Sequence, residues 1–573
     1  MPNRQATPSQ VPGMKTKWTH LLGAAVLSSL LGATPVLAQG TSLGEALAAK
    51  ENGEFKTAII VLKNALQKDA ENPEARYLLG QIYLDMGIGS GAEKELRWAR
   101  RLGVSDDEVL FKLGQSYLLQ EQYRRIRDEL TISPDMAPKL KAELTTLYGL
   151  ASLAEGNERK ARQDFEEAIR IYPDLSDAHL GMARVDMAND NRQAAELSLD
   201  TALEINSKCA ECWVMKGEIR RKEQSYEVAR EAFRNALDIE PANLLANLGK
   251  AAAEIELGNF DDVEPHLEAV KAIQPNHPLV SYLSAVLAFR DKDMDRAGQL
   301  VDDSLKAVPG HLPSLLLGGT VAFGQGQYAK ASDSLRRYLD RVPNNAAAIK
   351  LLAASELRQR RGAEAIEILR PLIRSGSKDS QALALFGSAF FQTGDHDTGV
   401  DYLRQAQQAD PDAANIRTQL ALSQLATGDT DAAIEGLQSA SEIDSNLLQA
   451  DVLLVMAQLQ KKDYDAAITA ADKLSEKLTD SPVPANLRGV ALLGKEDKQG
   501  ARAAFEEAVR INPQFTTAQL NLARLDVSEE RPVEATERLQ AILDYDAKNT
   551  AAMLELSRLA EAEGKRDQAL DWV

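Results

Sequence analysis

An all-α solenoid, one continuous array of about sixteen helix–turn–helix repeats, is the fold class this sequence predicts. Three observations predict it. Small residues recur every 34 positions with phase held over most of the chain, and glycines and prolines punctuate the same period at fixed offsets. The composition is 44% hydrophobic yet only 5% aromatic. A length of 573 residues would by itself suggest about four globular domains. Four separate cores need the buried area that large rings supply. Closely packed helices rich in Ala, Leu, Glu, Arg, Lys and Gln do not.

The first helix of each repeat is marked by a small residue near its middle. From Gly149, steps of 34 residues reach Ala183, Gly217, Ala251, Ala285, Gly319, Ala353, Gly387, Ala421, Val455, Gly489, Ala523 and Ser557 without insertion or deletion. Ala46, Gly80 and Gly114 extend the series backward, with one extra residue before Gly149. The turn follows, with Gly53, Gly87, Gly156, Gly258, Gly326, Gly394, Gly428 and Gly564 where a positive φ is needed. The second helix carries its own small position, Ala58, Ala92, Ala161, Ala195 and onward to Ala569, broken only at Ile126, Val263 and Gly399. Small residues in both helices let the two backbones cross closely. Phe165, Phe233, Leu267, Leu335, Leu403 and Phe505 fill the space between neighbouring repeats. Pro173, Pro241, Pro275, Pro309, Pro343, Pro411 and Pro513 then close the second helix, since proline cannot continue it.

A 34-residue helix–turn–helix with these columns resembles the tetratricopeptide repeat (TPR), over about residues 43–573. The resemblance implies a right-handed superhelix whose concave face is lined by the first helix of each pair. No repeat buries its faces alone, so stability comes from neighbour contacts. Two segments, Ala58–Gly103 and Ile416–Asp444, further resemble the long TPR protein encoded with exosortase/PEP-CTERM protein-sorting systems of exopolysaccharide-producing Gram-negative bacteria. That resemblance implies an exported lipoprotein in exopolysaccharide production and envelope sorting, with no assigned reaction.

Lys15 and Lys17, the charge-free run 21–33, and Val36-Leu37-Ala38 before Gln39 have the order of a signal peptide. Residues 1–38 are therefore expected to be removed, with Met14 as a possible true start, leaving 39–573 as the array. The apolar run is short for a membrane span, and an uncleaved anchor is the rival reading. Gln39 stands where a lipoprotein needs Cys, so the sequence departs from the lipoprotein pattern there. Removal of 1–38 takes away Arg4, Lys15 and Lys17 and no acid, so the formal charge moves from −19 to −22. That much acid disfavours nucleic acid or an anionic lipid surface as partner. No later stretch has transmembrane length, so the mature chain is expected in the periplasm. The sequence stops at Trp572-Val573, inside a sixteenth repeat without a polar capping face, so truncation inside its last repeat is expected.

No residue is a candidate for catalysis, and no cofactor or metal is expected. Gly40-Thr41-Ser42-Leu43-Gly44 matches a nucleophile elbow without the strand that presents one. Gly489–Glu496 resembles a phosphate loop, but ends in Glu where Ser or Thr must hold magnesium. His179, His266, His277, His311 and His396 are scattered and form no ligand pair. The apolar column Phe289, Phe323, Leu357, Phe391, Leu425, Leu459 and Leu493 could line a ligand groove, but its recurrence reads as inter-repeat packing. Cys209 and Cys212, beside Lys208 at a helix start, have three readings: a structural disulfide or buried thiols, a tolerated surface pair, or a redox or metal site. Two cysteines exclude a disulfide-stapled mini-domain. Arg124, Arg125 and Arg127 in the degenerate third repeat, and Arg358, Arg360 and Arg361 at a later turn, could contact an anion or partner. Solvated faces with (i, i+4) partners such as Glu129 are the alternative.

The sequence thus implies an exported, non-catalytic scaffold binding proteins or peptides on its concave face, with polysaccharide-export machinery among its possible partners. The alternatives are the periplasmic arm of an outer-membrane polysaccharide exporter, or the substrate-selecting arm of an enzyme whose catalytic domain lies beyond residue 573.

Overall fold

The computed structural model describes residues 41–572. The leader segment 1–38 and its cleavage point lie outside the described residues. Within them the chain forms thirty-two α-helices, α1 to α32 in chain order, and one 3₁₀ turn, Phe260–Asp262. The helices pair into sixteen antiparallel hairpins, and this is an all-α solenoid of helix–turn–helix repeats. None of the described helices is long and apolar enough to cross a membrane. Contacts divide the chain into two compact units, one ending at Leu287 and the other starting at Ala288.

The turn between paired helices has one conformation throughout. Sixteen residues at these turns, one per repeat, have positive φ; Gly103 and Gly376, after second helices, have it as well. Eight of the sixteen are the glycines named above; Glu121, Asp190, Gln224, Lys292, Arg360, Lys462, Glu496 and Glu530 hold the same place at φ between 55° and 65°. A side chain there costs about 1 kcal/mol relative to glycine. Half of the repeats accept that cost because the packing on either side fixes the turn.

The small residues do more than let backbones cross. In α7 (Pro138–Ala154) Gly149 makes room for the Phe165 ring of α8 (Glu158–Ile171); a Cβ there would lie 2.6 Å from the ring. Gly181 in α9 (Ser176–Ala188) receives the other side of the same ring. Phe233 sits likewise between Gly217 and Gly249, and Phe505 against Gly489. All three rings are fully buried. Here the glycine seats a ring, not a backbone. Direct backbone approach occurs in the pair Gly387/Gly399, where a Cβ on either would meet the other's carbonyl oxygen at 2.7 or 2.9 Å.

Consecutive repeats are also clasped by charge. A residue in one second helix pairs with a residue 24 positions later in the next first helix. Arg162 bonds Asp186 at 2.5 Å, and Arg502 bonds Asp526 at 2.7 Å. Arg230 approaches Glu254 at 3.9 Å. Glu196 and Arg220, 2.7 Å apart, carry the opposite polarity. Asp526 also receives Arg538 at 2.9 Å.

The third repeat departs from the pattern. Its first helix α5 (Asp106–Leu119) is of ordinary length, but α6 (Tyr123–Glu129) has only 7 residues. Residues 130–137 connect it to α7, and Tyr148 of α7 donates to the Leu130 carbonyl at 2.6 Å.

Candidate functional site: a groove on the first unit

The first helices of successive repeats place equivalent side chains side by side. In the first unit α3 (Pro73–Asp85), α5, α7 and α9 line a cavity of about 90 Å³, completed by the turn ahead of α11 (Ala210–Lys222). Its floor is Phe111, Leu118, Leu150 and Leu180, and Gln115, Leu150 and Arg184 are corresponding residues of consecutive repeats. Around this floor lie Asp177, Glu211 and Glu240.

The groove is charged. Arg184 bonds Glu211, and both side chains are largely buried. Asp177 is exposed at its surface, and the protein packed around it raises its carboxyl above the usual range despite Arg184 nearby. Burial also raises Glu143 and Glu240, with neighbouring carboxylates adding to the effect. Farther along the face, burial raises Asp85 against the pull of Lys50, 3.3 Å away, and lowers Lys112 with help from Lys50.

Cys209 and Cys212 are joined as a disulfide at the start of α11. The Cys212 backbone N–H points to the Cys209 sulfur at 3.1 Å, so the pair also caps the helix. Lys208 and Cys209 form part of the cavity wall.

The first arginine cluster is turned inward. Arg125 donates to Glu129 at 2.8 Å and Glu93 at 2.7 Å, and lies 4.3 Å over the Tyr117 ring. Arg97 donates to the Tyr117 hydroxyl at 2.7 Å, and that hydroxyl donates to Glu129 at 2.9 Å. Arg125 and its neighbours hold the Glu129 carboxyl at about 2. Burial and the bond to Glu129 push the Tyr117 phenol up to about 12. Glu93 and Glu129 raise Arg125 further above its ordinary value. Arg127 bonds Glu155, and Arg124 is exposed. Arg125 therefore ties the shortened helix to Glu93 of α4 (Gly89–Arg101), and Arg127 ties it to Glu155 at the end of α7.

The second cluster is spread over a turn. Arg358 ends α19 (Ala346–Arg358), Arg360 is the positive-φ residue, and Arg361 approaches the buried Glu356 at 3.5 Å. The apolar column from Phe289 to Leu459 is half-buried, with Phe289, Leu357, Leu425 and Leu459 packed on core clusters, whereas Leu493 is 39% exposed. Ser42 lies inside α1 (Thr41–Glu51), and Gly489 lies inside α27 (Pro482–Gly494), so neither local motif has its required setting. His179 bonds the Pro173 carbonyl at 2.9 Å, and His266 bonds Asn247 at 2.9 Å. Among the described residues no group of three or more His, Cys, Asp or Glu could hold a metal ion.

Sequence columns locate the helices but do not single out the groove. Gln115 and Arg184 share one register and differ in type, whereas Asp177 stands in another, where neighbouring repeats place Glu108, Glu143 and Glu211.

Fold and groove define a helical-repeat scaffold. The sequence profile described as Tetratricopeptide repeat matches residues 49–123, 152–219, 220–287, 322–386 and 390–450, and a second profile of the same description matches 452–515. The chain belongs to the tetratricopeptide repeat family, whose repeats make interaction scaffolds for protein or peptide segments.

It is 26% identical over 174 residues to the type IV pilus assembly protein PilF of Pseudomonas aeruginosa, covering 30% of this chain and 68% of that one. It is 27% identical over 138 residues to anaphase-promoting complex subunit 3 of Schizosaccharomyces pombe, covering 24% of this chain and 21% of the other. Among solved structures, the APC/C hetero-tetramer Cut9–Hcn1 gives a TM-score of 0.38 at 15% identity, covering 80% of this chain and 97% of that one. The type IV pilus biogenesis factor PilW gives 0.33 at 21% identity, covering 37% and 97%.

Proposed function

We propose that this chain is an exported, non-catalytic scaffold that holds protein segments in the groove of its first unit while an envelope structure is assembled. The observation that carries the reading is the cavity floored by Phe111, Leu150 and Leu180, which successive first helices build together. An apolar floor with a few convergent polar groups suits a protein segment. Export is supported by the basic-then-apolar order of residues 15–33 and by the Cys209–Cys212 disulfide, which suits an oxidising compartment. The setting is supported by the exosortase/PEP-CTERM resemblance of Ala58–Gly103 and Ile416–Asp444, and by a relative that is itself a pilus assembly protein. Exopolysaccharide export and PEP-CTERM sorting are the processes in which the scaffold acts.

The test is crosslinking in the producing cell from a photoreactive residue at Phe111, with a second at Glu166 as comparison and mass-spectrometric identification of partners. Envelope proteins captured from Phe111 and not from Glu166 are expected. Capture of cytoplasmic proteins alone would overturn the export reading. Alkylation without reductant is expected to leave Cys209 and Cys212 unmodified.

A further inference from the structure

We propose that the Cys209–Cys212 disulfide is a thiol-exchange site, which accepts two electrons from a pair of cysteines in a partner segment seated in the groove of the first unit. The inference rests on the reading that this groove binds protein segments, and it adds a covalent step to that binding.

The helix start does not need the bond. Cys209 is the N-cap of α11, where its sulfur takes the Cys212 N–H at 3.1 Å. Asn72, Asn243, Asn345, Asp379 and Asn549 hold the same place in other repeats, and a side-chain oxygen of each accepts the corresponding N–H without a cross-link. A bond between residues three apart closes a short loop, the case in which a disulfide stabilises least.

The two sulfurs are unequally placed. Cys212 is fully buried, in a core cluster with Ala183, Leu199 and Ile219. Cys209 is half-buried and belongs to the wall of the cavity floored by Phe111, Leu150 and Leu180. A thiolate arriving in the groove therefore meets Cys209 first. The reduced state has its own support. A Cys209 thiolate keeps the Cys212 N–H and sits at the positive end of a 13-residue helix. Exposed Lys208 stands next to it in the chain, engaged by no carboxylate of the described residues. Of the carboxylates at the cavity, Glu211 is held by Arg184, while Asp177 and Glu240 oppose the thiolate by charge alone. Support for the dithiol makes the disulfide a stronger oxidant.

The exchange balances in two displacements. One partner thiolate attacks the Cys209 sulfur, the Cys209–Cys212 bond breaks, and its electron pair leaves on Cys212, which takes a proton from water. The partner's second thiolate then attacks the partner sulfur of the mixed disulfide and expels Cys209 as a thiolate. The partner gives up two electrons and two protons and gains a disulfide. One chain serves one partner, so the step is stoichiometric and the chain remains a scaffold.

The experiment exposes the folded, oxidised full chain to millimolar reduced glutathione, quenches with acid, and counts free thiols by alkylation and mass. Opening of the bond is expected, with helical circular dichroism unchanged and the melting temperature kept or raised. In a Cys212→Ala variant, Cys209 should alkylate with a midpoint about one pH unit or more below an ordinary thiol, and Lys208→Ala in that background should raise it. A short reduced peptide with two cysteines flanked by leucines should open the wild-type bond at least tenfold faster than the same peptide flanked by glycines. A bond that resists glutathione until the chain unfolds, a chain that unfolds on reduction, or a Cys209 midpoint at or above the ordinary value would overturn the inference. Opening by glutathione with no advantage for the leucine peptide would overturn the groove reading and leave the exchange site standing.

Discussion

The two units share a repeat and differ in what they do with its first helix. In the first unit the register of Gln115, Leu150 and Arg184 belongs to a sheltered groove with buried or crowded charges. The same register in the second unit reaches Leu422 and Met456, 46% and 51% exposed. The neighbouring register ends in Leu493 and Val527, also open to solvent. Burial raises Asp85, Glu143, Asp177 and Glu240 along this face of the first unit, whereas Lys306 and Lys461 in the second are raised by carboxylates, Asp303 and Asp431 foremost. One backbone frame therefore carries two surface chemistries, because the packing columns never use the positions that face outward from the first helix.

The comparison breaks first if the frame is not shared. Phe165→Ala in the first unit and Phe505→Ala in the second should each cost about 3–5 kcal/mol, read by local hydrogen exchange. Losses that differ by more than about 2 kcal/mol would mean that the two ring seats are not equivalent.

The next effect separates paired from unpaired acids. Asp526→Asn leaves Arg502 and Arg538 facing a neutral group and should destabilise by about 2 kcal/mol. Asp177→Asn should leave stability unchanged or raise it at neutral pH. A carboxyl whose folded pKa is raised binds its proton more tightly in the folded state, so its ionisation costs stability as pH rises through the folded value. Equal losses in thermal melts of the two variants would remove the distinction.

A smaller effect is confined to the third repeat. The Glu129 pKa is held at about 2 against a reference of 4.5, so its contribution is complete above the unfolded value and disappears as pH falls towards 2. Glu129→Gln should cost about 1 kcal/mol at pH 7 and nothing further in acid, followed by exchange in α5 and α6.

The smallest effect lies in the turns. Arg360→Gly should gain about 0.5–1 kcal/mol, and Gly394→Ala in the next repeat should lose about as much, measured by chemical denaturation.

Much of this architecture was legible in the sequence. The eight turn glycines and the small columns recur, and recurrence is visible without coordinates. The role of Gly149 was only half legible: its smallness signals close approach, but not that a ring from Phe165 would be the neighbour. Arg125 reads in sequence as a loose cation because Glu93, which engages it, lies in the preceding repeat, and Tyr117 lies in the other helix of its own. The groove was the least legible part. Asp177 is one acid among 85 acidic residues, and only the stacking of α7 on α9 sets it beside Leu150 and Leu180 at the cavity.

The charge clasps bear on how sixteen near-copies avoid joining in the wrong sequence. Were the fifth repeat looped out, the helix bearing Arg162 would dock on the helix bearing Arg220, and two guanidinium groups would face each other where Asp186 belongs. Skipping the sixth would set Glu196 against Glu254. Alternating polarity over the run 162, 196 and 230 thus makes each neighbour distinguishable from the one after it, a proofreading code against mis-stacking during synthesis.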